Sequence, residues 1–363
     1  MSSTHPAVSP LSVLAALVIS ACMLPASAAT FVYVSNADSQ EISVLALDRA
    51  AGRLQPVETV PVGGTVMPLA VSPDKRVLYA ALRSQPFRVV SLAIDGGTGR
   101  LKKLGESSLG DNMANIDVDV SGKWLFAASY PGHKITVNAI DAKGVVGAVH
   151  QVIPTAPHAH AIHADAGNGR VLSTSLGGDS VSVWRFDATS GRLSPSDPAE
   201  VKVAPKSGAR HFVWDRAQKH LYLLNELDAS IDVFAWNADL GTLRPLQRAT
   251  ALPPGFTGKP WAADLHLSPD GNFLYASERT SSTLATFRVD SISGVLEPAG
   301  HTVTEKTPRG FALDATGRFL VAAGQDSHAV ALYRVNPATG ALSEAQRLPV
   351  GKNPNWVEIV ELP

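Results

Sequence analysis

Residues 267–278, LSPDGNFLYASE, contain the pattern that decides the fold: a Ser-Pro-Asp-Gly turn followed by an apolar strand. The pattern recurs at 71–82 (VSPDKRVLYAAL), 118–129 (VDVSGKWLFAAS), 168–176 (NGRVLSTSL), 216–226 (RAQKHLYLLNE) and 314–324 (DATGRFLVAAG). Each copy has an apolar anchor, and FVYVSNA (31–37) supplies a seventh. The anchors are Val32, Leu78, Leu125, Leu172, Leu221, Leu274 and Leu320. This recurrence indicates a chain built from one repeated unit.

The repeat length predicts an all-β, seven-bladed β-propeller over residues 30–363. Successive anchors are between 46 residues (Val32 to Leu78) and 53 residues (Leu221 to Leu274) apart, which leaves room for four short strands per unit. The first unit begins at its second strand, and NWVEIV (355–360) is a strand without a blade. Pairing that strand beside residues 31–36 would close the ring and remove two sheet edges.

Charge balance and missing motifs exclude several classes of function. Lys and Arg total 31 against 32 for Asp and Glu, so a net charge of −1 offers no field for nucleic acid or anionic membrane. No G-x-S-x-G elbow, P-loop or zinc-ligand spacing occurs in the sequence. We therefore expect a small-molecule partner, no cofactor, no nucleic acid, no membrane span and a monomer.

The N-terminus differs from the rest of the chain. Residues 1–29 contain no Asp, Glu, Lys or Arg, and residues 11–21 form an apolar run too short to span a bilayer. Small residues at 26–28 suit a signal peptidase, which predicts a signal peptide at 1–29 and a periplasmic or secreted protein. Cys22, the only cysteine, follows a lipoprotein-like Ile-Ser-Ala, so a lipid anchor is an alternative.

The repeat register brings polar residues to one mouth of the channel. Five residues after the anchors lie Arg83, Tyr130, Gly177, Glu226, Arg279 and Gln325. The expected starts of the innermost strands carry Asn115, His158, His160, Arg210, Asp264 and Arg309. Water-filled propeller mouths are ordinarily polar, but the four arginines and two histidines among these residues indicate a site for a phosphate or carboxylate.

A metal site is a weaker interpretation of the same residues. His158 and His160 would face one side of a strand, and Glu226 would supply a third ligand. The neighbouring arginines repel a cation, so we expect no metal. Isolated histidines such as His133 are expected at the surface, and Trp261 is expected to pack within a blade.

Several segments resemble the bacterial propeller-type 6-phosphogluconolactonases over most of the chain. They include PHAHAIHAD (157–165), ARHFVWD (209–215), LLNELDASIDVF (223–234) and WAADLHLSPDGNFLYASERT (261–280). The related fungal carboxymuconate-lactonising enzymes have a proposed His, Arg, Glu and Arg set, which the resemblance assigns to His158, Arg210, Glu226 and Arg279. The resemblance to the 6-phosphogluconolactonases implies a lactone hydrolase with a seven-bladed β-propeller fold.

The expected reaction is metal-free hydrolysis of a sugar lactone to the aldonic acid. Glu226, or alternatively His158, would take a proton from water, and Arg210 would stabilise the oxyanion. The other residues expected to bind substrate are His160, Arg309, Arg83, Tyr130, Asp264 and Gln325. Export favours an unphosphorylated gluconolactone as an alternative substrate. A non-enzymatic periplasmic binding protein and a muconolactone-type cycloisomerase remain open.

Overall fold

The computed structural model describes residues 1–5 and 29–363, and the rest of the N-terminal segment, with Cys22, lies outside this part of the chain. The described chain forms seven four-stranded antiparallel sheets, so the predicted seven-bladed propeller is confirmed. Within the described ranges, no helix has the length and apolar character needed to cross a membrane.

Each blade is one sheet whose strands follow one another in the chain. Blade one contains β1 (Ala29–Asn36), β2 (Glu41–Asp48) and β3 (Arg53–Pro61). Blade two contains β4 (Val66–Val71), β5 (Val77–Leu82), β6 (Arg88–Ile94) and β7 (Leu101–Ser108). Blade three contains β8 (Met113–Val118), β9 (Trp124–Ser129), β10 (Lys134–Ile140) and β11 (Val146–Pro154). Blade four contains β12 (Ala159–Ala164), β13 (Arg170–Ser175), β14 (Ser180–Asp187) and β15 (Arg192–Lys202).

The remaining blades repeat this order. Blade five contains β16 (Ala209–Trp214), β17 (His220–Asn225), β18 (Ser230–Asn237) and β19 (Thr242–Thr250). Blade six contains β20 (Ala262–Leu267), β21 (Phe273–Glu278), β22 (Thr283–Val289) and β23 (Leu296–Val303). Blade seven contains β24 (Pro308–Leu313), β25 (Phe319–Gly324), β26 (Ala329–Val335) and β27 (Leu342–Pro349).

The last strand, β28 (Pro354–Leu362), closes the ring as predicted. It pairs antiparallel with β1, with Val32 opposite Ile359 and Val34 opposite Val357, and becomes the innermost strand of blade one. The side chain of Asn355 is fully buried, and its Nδ2 donates to the backbone oxygens of Ser35, Val66 and Asn353. This single amide therefore joins the closing strand to blades one and two.

The core consists of layers between adjacent blades. Every residue of β5, β17, β21 and β25 is buried, since both faces of these second strands contact a neighbouring blade. Tyr33 of blade one packs in one cluster with Leu78 of blade two, and its hydroxyl donates to the oxygen of Gly99 in that blade's outer turn, at 2.8 Å. Burial of such apolar strands supplies most of the driving force for ring assembly.

The fourth unit departs from the predicted register by one residue. The anchors Leu221, Leu274 and Leu320 pair with the last residue of the preceding innermost strand, but in β13 the residue in that position is Val171, which pairs with Ala164. The turn before β13 has the same length as the one in blade seven, but Asn168 (φ 54°), and not Gly169, occupies the left-handed position that Gly317 (φ 66°) holds there. The prediction of Leu172 as the anchor of this unit is therefore wrong by one position, and Val171 is the anchor.

The central channel has two mouths. The innermost strands are β4, β8, β12, β16, β20, β24 and β28, each of which contacts its counterparts in the adjoining blades. All seven begin at one mouth, called here the strand-start mouth, and end at the other, the strand-end mouth. The second strands run back, so their ends also reach the strand-start mouth.

Candidate active site

A carboxylate held between two guanidinium groups forms the centre of the strand-start mouth. Glu226 follows β17, and its Oε2 accepts from Arg210 Nε at 2.7 Å and lies 3.1 Å from Arg279 Nη2. The two arginine side chains are only 1% and 2% exposed. Arg279 also donates to the backbone oxygens of Trp261 and Ala262, so its guanidinium plane has a fixed orientation.

The indole of Trp261 covers Arg279. The guanidinium carbon lies 3.8 Å from the ring centroid, a cation–π distance. Trp261 is 43% exposed, so the expectation that it packs inside a blade is wrong. The backbone oxygen of Trp261 accepts from Arg279 N, as that of His158 accepts from Leu176 N, and both residues therefore occupy one repeat position. Comparing these positions in the sequence would have identified Trp261 as a residue of the mouth.

The arginines set the electrostatics of the site. Burial opposes ionisation of Glu226, but the charges of Arg210 and Arg279 outweigh it and hold the pKa of this carboxyl below its usual range. Burial and repulsion by Arg210 lower the pKa of Arg279 to about 9. The same two causes lower the pKa of Arg83, and burial with repulsion by Arg210 and Arg279 lowers that of Arg309. One carboxylate is thus shared among four mutually repelling cations.

Three buried nitrogen atoms at this mouth have no hydrogen-bond partner among the described residues. They are Arg210 Nη1, Arg309 Nε and His160 Nδ1. Burial and the charge of Arg210 keep the pKa of His160 well below its ordinary value, so this imidazole is neutral. Because an unmatched buried donor is costly, the two guanidinium nitrogens favour a ligand with acceptor oxygens.

His158 is oriented by contacts on three sides. Its Nδ1 lies 3.2 Å from the backbone oxygen of Tyr130, and the Tyr130 ring stacks on the imidazole with centroids 4.3 Å apart. His133 Nδ1 accepts from the backbone N of His158 at 2.9 Å. A Cβ on Gly177 would lie 2.7 Å from His158 Cδ2, so glycine leaves room for the ring. His133, expected only as a surface residue, thus supports the site.

The hydrogen bond to Tyr130 O determines the tautomer of His158. A carbonyl oxygen only accepts, so Nδ1 carries the proton and Nε2 of the neutral ring has a free lone pair. The Tyr130 ring also contacts His160 edge-on, with centroids 6.0 Å apart, which brings the two histidines to the same mouth.

Not every predicted site residue reaches this mouth. Asp264 and Asn115 are one position further along their innermost strands than His160, Arg210 and Arg309, so the predicted set of equivalent positions is shifted by one residue for these two. Asp264 bonds to His211 and His266, which line the strand-end mouth.

Two further positions at the mouth differ from expectation. Leu176, and not Gly177, is the fourth-blade equivalent of Glu226, since its N donates to His158 O as Glu226 N donates to Gly208 O. Gln325 Nε2 donates to Asn353 Oδ1 at 2.7 Å, which ties blade seven to the segment before β28. Within residues 1–5 and 29–363, no group of three or more His, Cys, Asp or Glu is arranged to hold a metal ion.

Comparison with known proteins gives the same family as the sequence motifs. The family model "Lactonase, 7-bladed beta-propeller" matches residues 29–359. The chain is 38% identical over 331 residues to a 6-phosphogluconolactonase of Pectobacterium atrosepticum, covering 91% of this chain and 98% of that protein. It is 39% identical over 329 residues to one of Yersinia pestis, with coverages of 90% and 97%. The solved structure of a periplasmic gluconolactonase of Pseudomonas aeruginosa matches with a TM-score of 0.87 and 28% identity, over 92% of this chain and 100% of that one. The chain belongs to the family of lactonases built on a seven-bladed β-propeller.

Proposed function

We propose that the protein hydrolyses a sugar lactone to the aldonic acid at the strand-start mouth. The observation that carries the proposal is the Arg210–Glu226–Arg279 cluster, with the unpartnered nitrogens of Arg210 and Arg309 beside it. Relatives named 6-phosphogluconolactonase, over nearly their whole length, support the same chemistry.

Arg210 is the proposed oxyanion stabiliser. Its Nε is held by Glu226, while Nη1 is buried and has no partner among the described residues. Fixed donors that need no reorganisation stabilise the negative oxygen formed when water adds to a lactone carbonyl. Glu226 holds Arg210 and Arg279 in place.

His158 is the proposed general base, in preference to Glu226. Its Nε2 lone pair is free, whereas Glu226 Oε2 is engaged by two arginines that stabilise the ionised form and weaken it as a base. His158 Nε2 takes a proton from water as the oxygen attacks the carbonyl carbon. When the ring C–O bond breaks, the imidazolium returns that proton to the leaving alkoxide.

The substrate proposed for this mouth carries an anionic group. Arg83, Arg210, Arg279 and Arg309 place four positive charges against the single carboxylate of Glu226. A phosphate on the sugar would accept from Arg309 Nε, and the carboxylate of the aldonate product has the same acceptor chemistry. A 6-phosphogluconolactone is the substrate that best matches this charge.

Export to the periplasm is also proposed. The uncharged segment 1–29 supports it, and so does the periplasmic gluconolactonase of Pseudomonas aeruginosa among similar structures. The expected cleavage near Ala28 and Ala29 falls where β1 begins, so removal of the signal would leave the ring intact. Fractionation and the mass of the mature protein test this, and a lipid-linked mass at Cys22 would identify the anchored form instead.

The lactonase assay compares substrates. Proton release is followed in a pH-stat with 6-phosphogluconolactone, glucono-δ-lactone and a muconolactone, each with and without EDTA. We expect acceleration over spontaneous hydrolysis, unaffected by EDTA, and a KM about tenfold lower for the phosphorylated lactone, the value of one charged hydrogen bond. No acceleration on any lactone would refute the enzymatic proposal and favour a binding protein.

The general base is tested by paired variants. His158→Gln should lower kcat at least about 100-fold, because loss of a base has effects of this size. Glu226→Gln should lower kcat by a smaller factor, because in this proposal Glu226 positions Arg210 and Arg279 and takes no proton. His301→Gln, on the outermost strand β23, is the matched control and should retain the wild-type kcat. If Glu226→Gln lowers kcat more than His158→Gln does, the assignment of the base is reversed.

A further inference from the structure

The strand-end mouth contains a cavity that lies outside the proposed active site. Its volume is about 440 Å³, within the range of small-molecule sites. Its walls carry Asp117, His211, Asp264 and Glu358, and Trp356 contributes an aromatic surface. The size and lining of this cavity suit a small organic molecule.

Asp264 connects two histidines at this mouth. Its Oδ1 lies 2.8 Å from His211 Nδ1, and its Oδ2 lies 3.1 Å from His266 Nε2. Burial opposes ionisation of Asp264, but the charge of His266 and the hydrogen bonds from both histidines hold the pKa of the carboxyl below its usual range. An ionised carboxylate has no proton to donate, so His211 Nδ1 must be the donor.

His211 consequently presents an acceptor. Burial and the charge of Arg210 lower the pKa of His211 to about 3, so the ring is neutral and Nε2 carries a lone pair. Only 7% of the residue is exposed, and Nε2 is buried without a hydrogen-bond partner among the described residues. His211 thus offers the cavity an unmatched acceptor.

Two carboxyl groups of the cavity supply further acceptor oxygens. One oxygen of Asp117 lies 3.1 Å from His163 Nδ1, and Glu358 Oε1 accepts from Trp356 Nε1 at 2.9 Å, which leaves one oxygen of each carboxyl group for a ligand. Burial raises the pKa of Glu358 to about 7, so a cation bound beside it would stabilise its ionised form.

The cavity also contains donors: Trp214 Nε1 is buried without a partner among the described residues, and, although burial opposes it, the charge of Asp264 raises the pKa of His266. The Trp356 ring packs against His211, with centroids 5.7 Å apart. The acceptors of His211, Asp117 and Glu358 suit a ligand that donates hydrogen bonds and has a hydrocarbon part that packs against the indole.

We propose that the strand-end mouth binds a small organic ammonium compound, with its N–H groups donating to Glu358, Asp117 and His211 Nε2. Its hydrocarbon part packs against Trp356. The two mouths then select ligands of opposite charge, an anion where the innermost strands start and a cation where they end.

Calorimetric titration with cyclohexylammonium and with cyclohexanol tests this site, since the two probes share a ring and differ in the charged donor. We expect the ammonium to bind at least about tenfold more tightly than the alcohol, as expected for a charge-assisted hydrogen bond. Glu358→Gln should weaken ammonium binding by a similar factor. Asp117→Asn, whose side chain is 31% exposed, gives a second test if Glu358→Gln does not fold.

Glu106→Gln removes an exposed carboxylate of β7 and should leave ammonium binding unchanged. Equal binding of the two probes, no binding of either, or unaltered binding in both cavity variants would overturn the proposal. The result is separate from lactone hydrolysis, because a preparation that binds the ammonium but hydrolyses no lactone would refute the proposed function alone.

Discussion

Replacing Glu226 by Gln should destabilise the folded protein through the arginines that it neutralises. The Glu226 side chain is 14% exposed, and its partners Arg210 and Arg279 are 1% and 2% exposed, so water cannot replace the lost contacts. Removing one partner of a buried ion pair costs 3–5 kcal/mol, and the partial exposure of Glu226 places the expected loss at about 3 kcal/mol. With an m-value of about 3 kcal/mol/M, the urea midpoint should fall by about 1 M.

Glu106→Gln is the matched control for this measurement. Glu106 also contacts two cations, with Lys103 Nζ at 2.7 Å and Arg88 Nε at 3.4 Å, but it is 43% exposed. An exposed pair contributes at most about 1 kcal/mol, so the control midpoint should move by less than about 0.3 M. Equal shifts in the two variants would refute the argument that burial makes the Glu226 cluster strong.

The pH dependence of the Glu226→Gln effect has a defined sign. The folded-state pKa of Glu226 lies below its unfolded value of about 4.3, so its ionisation stabilises the protein fully above that pH. This contribution is lost as the pH falls through the folded-state pKa. Urea titrations should therefore show the largest difference between wild type and variant near pH 7, and a smaller one below about pH 4.

Three further substitutions test other contacts. Gly177→Ala should lower kcat about tenfold or more in the lactone assay, because a Cβ would lie 2.7 Å from His158 Cδ2 and displace the ring. Trp261→Ala should raise KM about tenfold through loss of the cation–π contact to Arg279 at 3.8 Å, while Trp261→Phe retains most of the affinity. Asn355→Ala should cost about 2 kcal/mol in urea unfolding, because its buried amide bonds three backbone oxygens.

The repeat spacing predicted the architecture well, because every blade must satisfy the same packing and turn geometry. The anchor positions, the closing strand and six of the seven second strands followed from that periodicity. Blade four was the exception, since Asn168 holds the left-handed position three residues before the true anchor, whereas the sequence comparison aligned Gly169 with the turn glycines of the other units. The sequence comparison aligned the glycine, but the register of β13 is set by its backbone hydrogen bonds to β12.

The candidate site was predicted less completely, because alternation along a strand turns a one-residue error into the opposite direction of a side chain. Arg210 and Arg309 were placed at the strand-start mouth, but Asp264, one position out of phase, bonds to the histidines of the strand-end mouth. Each innermost strand between β4 and β24 has a register shift near its start, which a regular period of two does not describe.

The pairing of β28 with β1 also has a consequence for the order of folding during synthesis. Ser35 and Asn355, which meet in blade one, are separated by 320 positions, so the first sheet remains incomplete while nearly all the other strands are translated. Contacts this distant in sequence form late and slowly. Until β28 emerges from the ribosome, β1 has an unpaired inner edge and the ring stays open. If the chain is exported as proposed, closure of the ring must wait until β28, which follows all the other described strands, has also crossed the membrane.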